Sequence, residues 1–384
     1  MVPGKEILLL DGGLGTSLED RYGVVFGKAT PLWSSHLLLS DAETLLRCQK
    51  DFGEIPVDIV LTATYQISTE GLAATHTKDF PVGVDDDTAQ RLLRRAIDIA
   101  MEATSRSTAV AISLGPYGAC MVPSQEYSGR YDEHHSSEEQ LMRWHVQRLG
   151  LFESIITPRT VSFVAFETIP RRDEIVAIRR AFSLAPATLS TLPFWTSCLF
   201  PSVGQTLPDG SSVDQAMEAM LDPNLAGAVP WGVGINCTKI QKLRDLVLGY
   251  ESAVSRLDAA GMLRAWPVLL LYPDGTNGEV YCSETHQWVT SSEGPEVSGC
   301  WLGRVLIVLR TFDDKTVYNA SISRLPAHLT CSQMAGGESW EHQLGAIVQE
   351  TRARGNWKQI VVGGCCKASA EHIRKLGQVL RLGA

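Results

Sequence analysis

Phe163-Val164-Ala165-Phe166-Glu167-Thr168-Ile169-Pro170 reads as a strand that is apolar on both faces and ends in a carboxylate. A strand with one wet face alternates apolar and polar residues. A continuous apolar run signals burial on both sides, as in a parallel sheet covered by helices. Seven further runs share this character: Ile7 to Asp11, Val57 to Tyr65, Ala109 to Leu114, Phe194 to Phe200, Val229 to Cys237, Trp266 to Tyr272 and Ile360 to Gly364. Segments of helical period separate them. Asp86 to Ser107 puts Leu92, Leu93, Ala96, Ile97 and Ala100 on one face, and Thr238 to Leu257 does the same with Ile240, Leu243, Val247 and Tyr250. Ser40 with Glu43, and Ser136 with Glu139, read as capping boxes at helix starts. Eight βα units predict an α/β fold, a single (β/α)8 barrel of the TIM type spanning 1–384. The competing open doubly wound sheet lacks its signature, because no G-x-G-x-x-G follows any strand.

One stretch breaks the rhythm. The chain between Tyr272 and Ile360 is far longer than one crossover helix needs, and Glu338 to Arg354 already supplies that helix. Residues 289–337 are left over, including the apolar run Val305 to Leu309. They read as an insertion within the barrel, either a lineage-specific loop or a retained intron. The insertion enters after strand seven, on the side where this fold keeps its active site.

Composition excludes several function classes. With 34 Lys and Arg against 43 Asp and Glu, the formal charge is −9, and no basic stripe marks a nucleic-acid partner. No apolar run reaches the length of a membrane span, and Met1 to Glu6 lacks the features of a signal peptide. Nine cysteines without a short secreted framework suggest a reducing, cytoplasmic setting, where thiols serve as ligands, nucleophiles or packing groups rather than disulfides.

Chemistry in such a barrel is sought at the C-terminal ends of the strands. The first run ends Asp11-Gly12-Gly13-Leu14-Gly15-Thr16. Asp11 is either a carboxylate of the barrel mouth or a turn residue capping its own loop. Glu167 should lie near the barrel axis, where a lone charge is costly without a partner. Arg171 or Arg172 could neutralise it, although both begin the next helix. The sixth run ends at Cys237 and the eighth at Cys365-Cys366. Two thiolates at one strand end and one across the mouth would suit tetrahedral zinc with an open fourth position. The helix starting near Ser369-Ala370-Glu371 would help lower the thiol pKa values. The bland alternative is three small buried cysteines. Cys48, Cys120, Cys198, Cys282, Cys300 and Cys331 lack such company and read as packing or loop residues. There is no H-E-x-x-H, and His134-His135 reads as a solvated loop pair.

Asp11-Gly12-Gly13-Leu14-Gly15-Thr16, Thr62-Ala63-Thr64-Tyr65-Gln66, Phe166-Glu167-Thr168-Ile169-Pro170, Gly234-Ile235-Asn236-Cys237 and Gly363-Gly364-Cys365-Cys366 together resemble the homocysteine S-methyltransferase family. They occur in the family's order and span nearly the whole chain apart from the insertion. The resemblance implies one Zn2+ per chain on Cys237, Cys365 and Cys366. It also implies a homocysteine site at Asp11, Gly12, Gly13 and Glu167. The implied reaction moves a methyl group from S-methylmethionine or S-adenosylmethionine to L-homocysteine, giving methionine. Trp33 and Tyr65 are candidates for holding the cationic donor through their ring faces. Thr168 follows Glu167 where the betaine-using branch has a tyrosine, so that branch is less similar. Lys367 stands where many relatives have arginine or glycine.

Two other classes compete. A non-catalytic zinc- or thiol-binding barrel, inactivated by the insertion, would need neither Asp11 nor Glu167. A barrel hydrolase using that pair as acid and base would need a water-activating metal on histidine or carboxylate ligands, which three cysteines do not provide.

Overall fold

The structure, a computed structural model, describes residues 5–27, 30–157, 159–276, 279–282, 287–290 and 338–382. Among the described residues ten strands follow one another: β1 (Ile7–Leu9), β2 (Ile59–Leu61), β3 (Ala109–Leu114), β4 (Phe163–Ile169), β5 (Phe194–Cys198), β6 (Gly232–Asn236), β7 (Val268–Tyr272), β8 (Glu279–Cys282), β9 (Gln287–Thr290) and β10 (Ile360–Val362). Eight of them form one sheet in the order β1-β10-β7-β6-β5-β4-β3-β2, every pairing parallel. Leu10 bridges Ile59, and the Asp58 amide donates to the Leu9 carbonyl at 2.7 Å, which brings β1 against β2 and closes the sheet. The fold is the expected barrel, and all eight apolar runs are its strands.

The period-two alternation of the strands sorts their residues into two cores. Leu8, Ala111, Phe163, Ala165, Trp195 and Leu270 pack together inside the barrel. Their neighbours Leu9, Ile112, Val164, Phe166, Leu269 and Leu271 pack outward against the helices. This double burial is why the strands are apolar without alternation. Continuing the inward set by two residues gives Ser113, Glu167 and Tyr272, one polar layer above the apolar plug.

The helices Asp86–Ala103, Ile240–Ala259 and Trp340–Arg354 occupy the expected segments. Two caps differ from expectation by one residue. Asp41, not Ser40, caps the helix Ala42–Gly53 by accepting from the Thr44 amide at 3.0 Å. Ser40 instead donates back to the His36 carbonyl and finishes the preceding helix. Likewise Ser137 and Gln140 form the capping box of Glu138–Gly150, because Ser136 donates to the Glu133 carbonyl of the turn before it. β8 and β9 form an antiparallel hairpin apart from the barrel sheet. Of the 289–337 insertion only its first two residues, Val289 and Thr290, are described, as the end of β9; 291–337 lie outside the described residues. Among the described residues no helix is long and apolar enough to cross a membrane.

Candidate metal and substrate site

A cavity opens at the C-terminal end of the barrel, and the candidate ligands and substrate contacts Asp11, Gly12, Gly13, Trp33, Tyr65, Glu167, Cys237, Cys365 and Cys366 all line it. Glu167 arrives there because β4 turns its odd-numbered residues inward. Its Oε1 accepts from the Ser113 hydroxyl, and Tyr272, itself donated to by Trp195 Nε1 at 3.2 Å, also bonds to it. Neither arginine neutralises it: Arg171 is engaged with Asp173 and the Gly129 carbonyl, and the Arg172 amide donates to Asp209. Burial, only partly countered by Ser113 and Tyr272, pushes the Glu167 carboxyl up to about 7.

Asp11 does not cap its own loop. Its Oδ2 accepts from the Leu61 amide at 2.9 Å, across the seam between β1 and β2. Its Oδ1 is buried with no partner. Burial holds this carboxyl far above the usual range, and the nearby Glu167 charge raises it further. Two carboxyl groups thus face one cavity with an acceptor to spare, a local demand for a cation.

Gly12 and Gly13 let the β1 loop close on the cysteine turn. The Gly13 amide donates to the Ala368 carbonyl at 2.9 Å, and a Cβ on Gly13 would collide with the Cys365 carbonyl oxygen.

The three candidate ligand cysteines do converge: the sulfurs of Cys237, Cys365 and Cys366 lie within 4.8 Å of one another. Cys237 and Cys365 form the closest pair, their Cα atoms 5.6 Å apart, because β6 and β10 deliver them to facing positions across β7; that spacing allows the two sulfurs to pair with each other or to serve together as ligands, and Cys366 is a free thiol. With no metal bound, burial, with Asp274 and Glu126 nearby, pushes the Cys366 thiol up to about 12, partly countered by the Tyr127 hydroxyl and its own amide.

The surroundings nevertheless fit three thiolate ligands. Each sulfur has its own proton donor: Thr168 Oγ1 towards Cys237 at 3.8 Å, Asn236 Nδ2 towards Cys365 at 4.0 Å, and the Tyr127 hydroxyl towards Cys366. Such donors orient ligands and stabilise negative sulfur. Three soft donors on one side of an open cavity match zinc with a position left for a substrate sulfur.

Trp33 and Tyr65 stand on the outer wall with ring centroids 6.4 Å apart, edge to face. A Cβ on Gly15 would strike the Trp33 ring, so that glycine is what admits the indole. Cys48 and Cys198 are buried packing residues, as expected, while Cys300 and Cys331 lie outside the described residues. Of the loop pair, His134 is exposed as expected, while His135 is only partly so and stacks on Tyr117 with centroids 3.9 Å apart. Sequence reasoning missed Ser113, Thr168, Asn236, Tyr272, Glu126 and Tyr127 as site residues. For Ser113 a signal existed, a hydroxyl interrupting the apolar run of β3 on its inward face.

The family model described as homocysteine S-methyltransferase matches residues 8–380. Homocysteine S-methyltransferase 2 of Zea mays is 30% identical over 322 residues, 78% of this chain and 84% of that relative. Selenocysteine Se-methyltransferase of Brassica oleracea var. italica is 29% identical, covering 74% of this chain and 77% of its own. Among solved structures, the metallated form of the homocysteine methyltransferase MmuM from Escherichia coli superposes with a TM-score of 0.60 at 21% identity, over 97% of this chain and 96% of that one. Its oxidized form gives 0.61 at 20% identity, over 98% and 97%. These two likenesses concern the fold. The family match over nearly the whole length decides the rest: this chain belongs to the homocysteine S-methyltransferase family.

Proposed function

We propose that the protein transfers a methyl group from a sulfonium donor, S-methylmethionine or S-adenosylmethionine, to the thiol of L-homocysteine, giving methionine. The observation that carries this reading is the convergence of three cysteine sulfurs beside two buried carboxyl groups in one cavity.

Cys237, Cys365 and Cys366, in their reduced form, would hold one zinc ion, which when bound keeps a coordinated substrate thiol in its nucleophilic thiolate form. Asp11 and Glu167 receive the α-ammonium of homocysteine. That cation offsets the burial that raises the pKa of both carboxyls, and it gives Asp11 Oδ1 the partner it lacks. Gly12 and Gly13 line the cavity and hold the β1 loop against the cysteine turn, which keeps the amino-acid site next to the sulfurs. Trp33 and Tyr65 face the donor and hold its positive charge against their rings. In the transfer a carbon–sulfur bond forms to homocysteine as the donor's S–CH3 bond breaks. The electron pair stays on the donor sulfur, which leaves as a neutral thioether, so no general acid is needed. Alignment of the two sulfurs about the methyl group supplies much of the rate. A selenol fits the same chemistry. A reduced cysteine cluster suits a cytoplasmic setting. We assign 1–384 to one barrel, with 289–337 as an insertion within it.

The test is methionine formation by reduced, zinc-loaded protein from L-homocysteine, with the two sulfonium donors run in parallel. Methionine is expected, and its loss in Cys366→Ser. A folded, zinc-bound protein that makes none from either donor overturns the proposal.

A further inference from the structure

The cavity wall contains four carboxyl groups, Asp11, Glu19, Glu126 and Glu167, and among the described residues no lysine, arginine or histidine. A cavity with that balance selects cations. Asp11 and Glu167 feel each other's charge and serve one side, and Glu19 is half-buried and faces the charge of Lys367. Glu126 remains. It is 8% exposed, and its Oε2 is buried with no hydrogen-bond partner. Its carboxyl group is held by the Ser124 hydroxyl and its own amide. Its electrostatic neighbours include Tyr65, Tyr127, Cys120 and Cys366, which places it beside aromatic side chains and the cysteine cluster, and Tyr65 in turn also feels the charge of Glu167.

The loop that carries it is fixed at both ends. Glu174 accepts from the Tyr117 amide at 2.7 Å and from the Tyr131 hydroxyl at 2.5 Å, and the Gln125 amide donates to the Gly118 carbonyl at 2.7 Å. An unpartnered, buried carboxylate oxygen on a rigid loop is costly unless a ligand satisfies it.

We propose that Glu126 is the anionic anchor of the methyl donor, contacting a positive charge of the sulfonium amino acid in the cavity that also holds the homocysteine site. This rests on the proposed sulfonium-to-homocysteine transfer. Burial, which pushes the Glu126 carboxyl up to about 7, is the cost that a bound cation removes. Two cationic groups share this chemistry, the sulfonium and the donor's α-ammonium. If Glu126 faces the sulfonium, its stabilisation is stronger in the ground state than in the transition state, because the charge vanishes as the methyl leaves. If it faces the ammonium, binding is uniform along the reaction. Either way Glu126 sets KM for the donor and not the chemical rate.

The experiment compares wild type with Glu126→Gln in zinc content, in KM for L-homocysteine and each donor, and in equilibrium binding of three probes. S-methylmethionine carries both cations, dimethylsulfoniopropionate only the sulfonium, and methionine only the ammonium. The expected result is a donor KM raised about tenfold or more, with kcat not reduced and with zinc content and homocysteine KM unchanged. Weakened binding of S-methylmethionine and dimethylsulfoniopropionate alone assigns the contact to the sulfonium. Weakened binding of S-methylmethionine and methionine alone assigns it to the ammonium. Unchanged binding of all three overturns the proposal while leaving the transfer reaction standing. Wild-type protein inactive with every sulfonium overturns both. Should Glu126→Gln fail to fold, Glu126→Asp, which retracts the charge by one methylene, decides by the same readouts.

Discussion

Asn236 grips Thr168 at two points. Its Oδ1 accepts from the Thr168 amide at 2.9 Å, and its Nδ2 donates to Thr168 Oγ1 at 2.7 Å. Thr168 sits at φ +63°, a left-handed conformation that disfavours a β-branched residue, so the clamp is what holds it there. The result is a hydroxyl aimed at Cys237 and an amide nitrogen turned towards Cys365.

Asn236→Ala therefore leaves a buried amide unsatisfied and a strained residue unsupported. We expect a loss of about 2–3 kcal/mol in unfolding free energy and a zinc affinity lower by about 10–100-fold. Thermal unfolding and competitive chelator titration check the two effects separately. A variant with wild-type zinc affinity would show that the clamp does not orient the ligands.

Glu167 makes stability depend on pH in the substrate-free protein. Its folded carboxyl titrates at about 7, raised by burial from the usual 4.5. A raised carboxyl contributes stability that is complete below the unfolded value and is lost as pH climbs through the folded one. Glu167→Gln does not titrate, so its stability relative to wild type should rise between about pH 4.5 and 7, by at most about 3 kcal/mol. Melting curves at pH 5 and pH 8 read this difference, and saturating L-homocysteine should shrink it by stabilising the charged form in wild type. A difference that is flat with pH would place the titration elsewhere.

The strands and the outermost site residues were legible in the sequence because their signals are local. An apolar run without alternation, glycines after Asp11 and before Cys365, and a carboxylate ending β4 all lie within a few residues of one another. What stayed hidden is held by pairings across the barrel. Ser113 and Tyr272 meet Glu167 only because β3, β4 and β7 all turn the residue two beyond the inner plug towards the axis. Asn236 and Thr168 are 68 residues apart and look like ordinary strand-end polar residues until β6 faces β4. Glu126 lies in a loop whose position depends on Glu174, and no periodicity reports that. The caps slipped by one residue because a serine next to a helix start can equally close the turn before it, as Ser40 and Ser136 do.

Glu174 is the anchor of that loop. Fully buried, it accepts from the Tyr117 amide, His145 Nε2 at 3.0 Å and the Tyr131 hydroxyl. Burial lowers the His145 pKa, while the contact with Glu174 works to raise it. Glu174→Ala should cost about 3–5 kcal/mol, since several buried donors lose one acceptor. The milder Glu174→Gln should stay folded and raise KM for the sulfonium donor more than KM for homocysteine, because the loosened segment carries Glu126 and Tyr127 and not Asp11. Steady-state kinetics with each substrate varied in turn separate the two. An equal rise in both constants would argue that the loop serves the whole cavity.

The Cys237–Cys365 pairing makes metal loading a redox question. With their Cα atoms 5.6 Å apart, the two sulfurs can bond to each other or act together as ligands, but not both at once. Breaking the pair takes two electrons and yields two thiols, which an added dithiol supplies. Protein handled without reductant should hold well under one zinc per chain, and dithiol treatment followed by zinc should bring it to one. Thiol titration before and after should report the two newly released sulfhydryls. Cys237→Ser separates the pairing from ordinary thiol damage: it cannot form the bond, so reductant should not raise its zinc content, which stays low for want of a third sulfur. Cys366→Ser keeps the pair intact and should still release two thiols on reduction while failing to hold zinc. Full zinc occupancy in oxidised wild type would mean that the metal is bound without these two sulfurs.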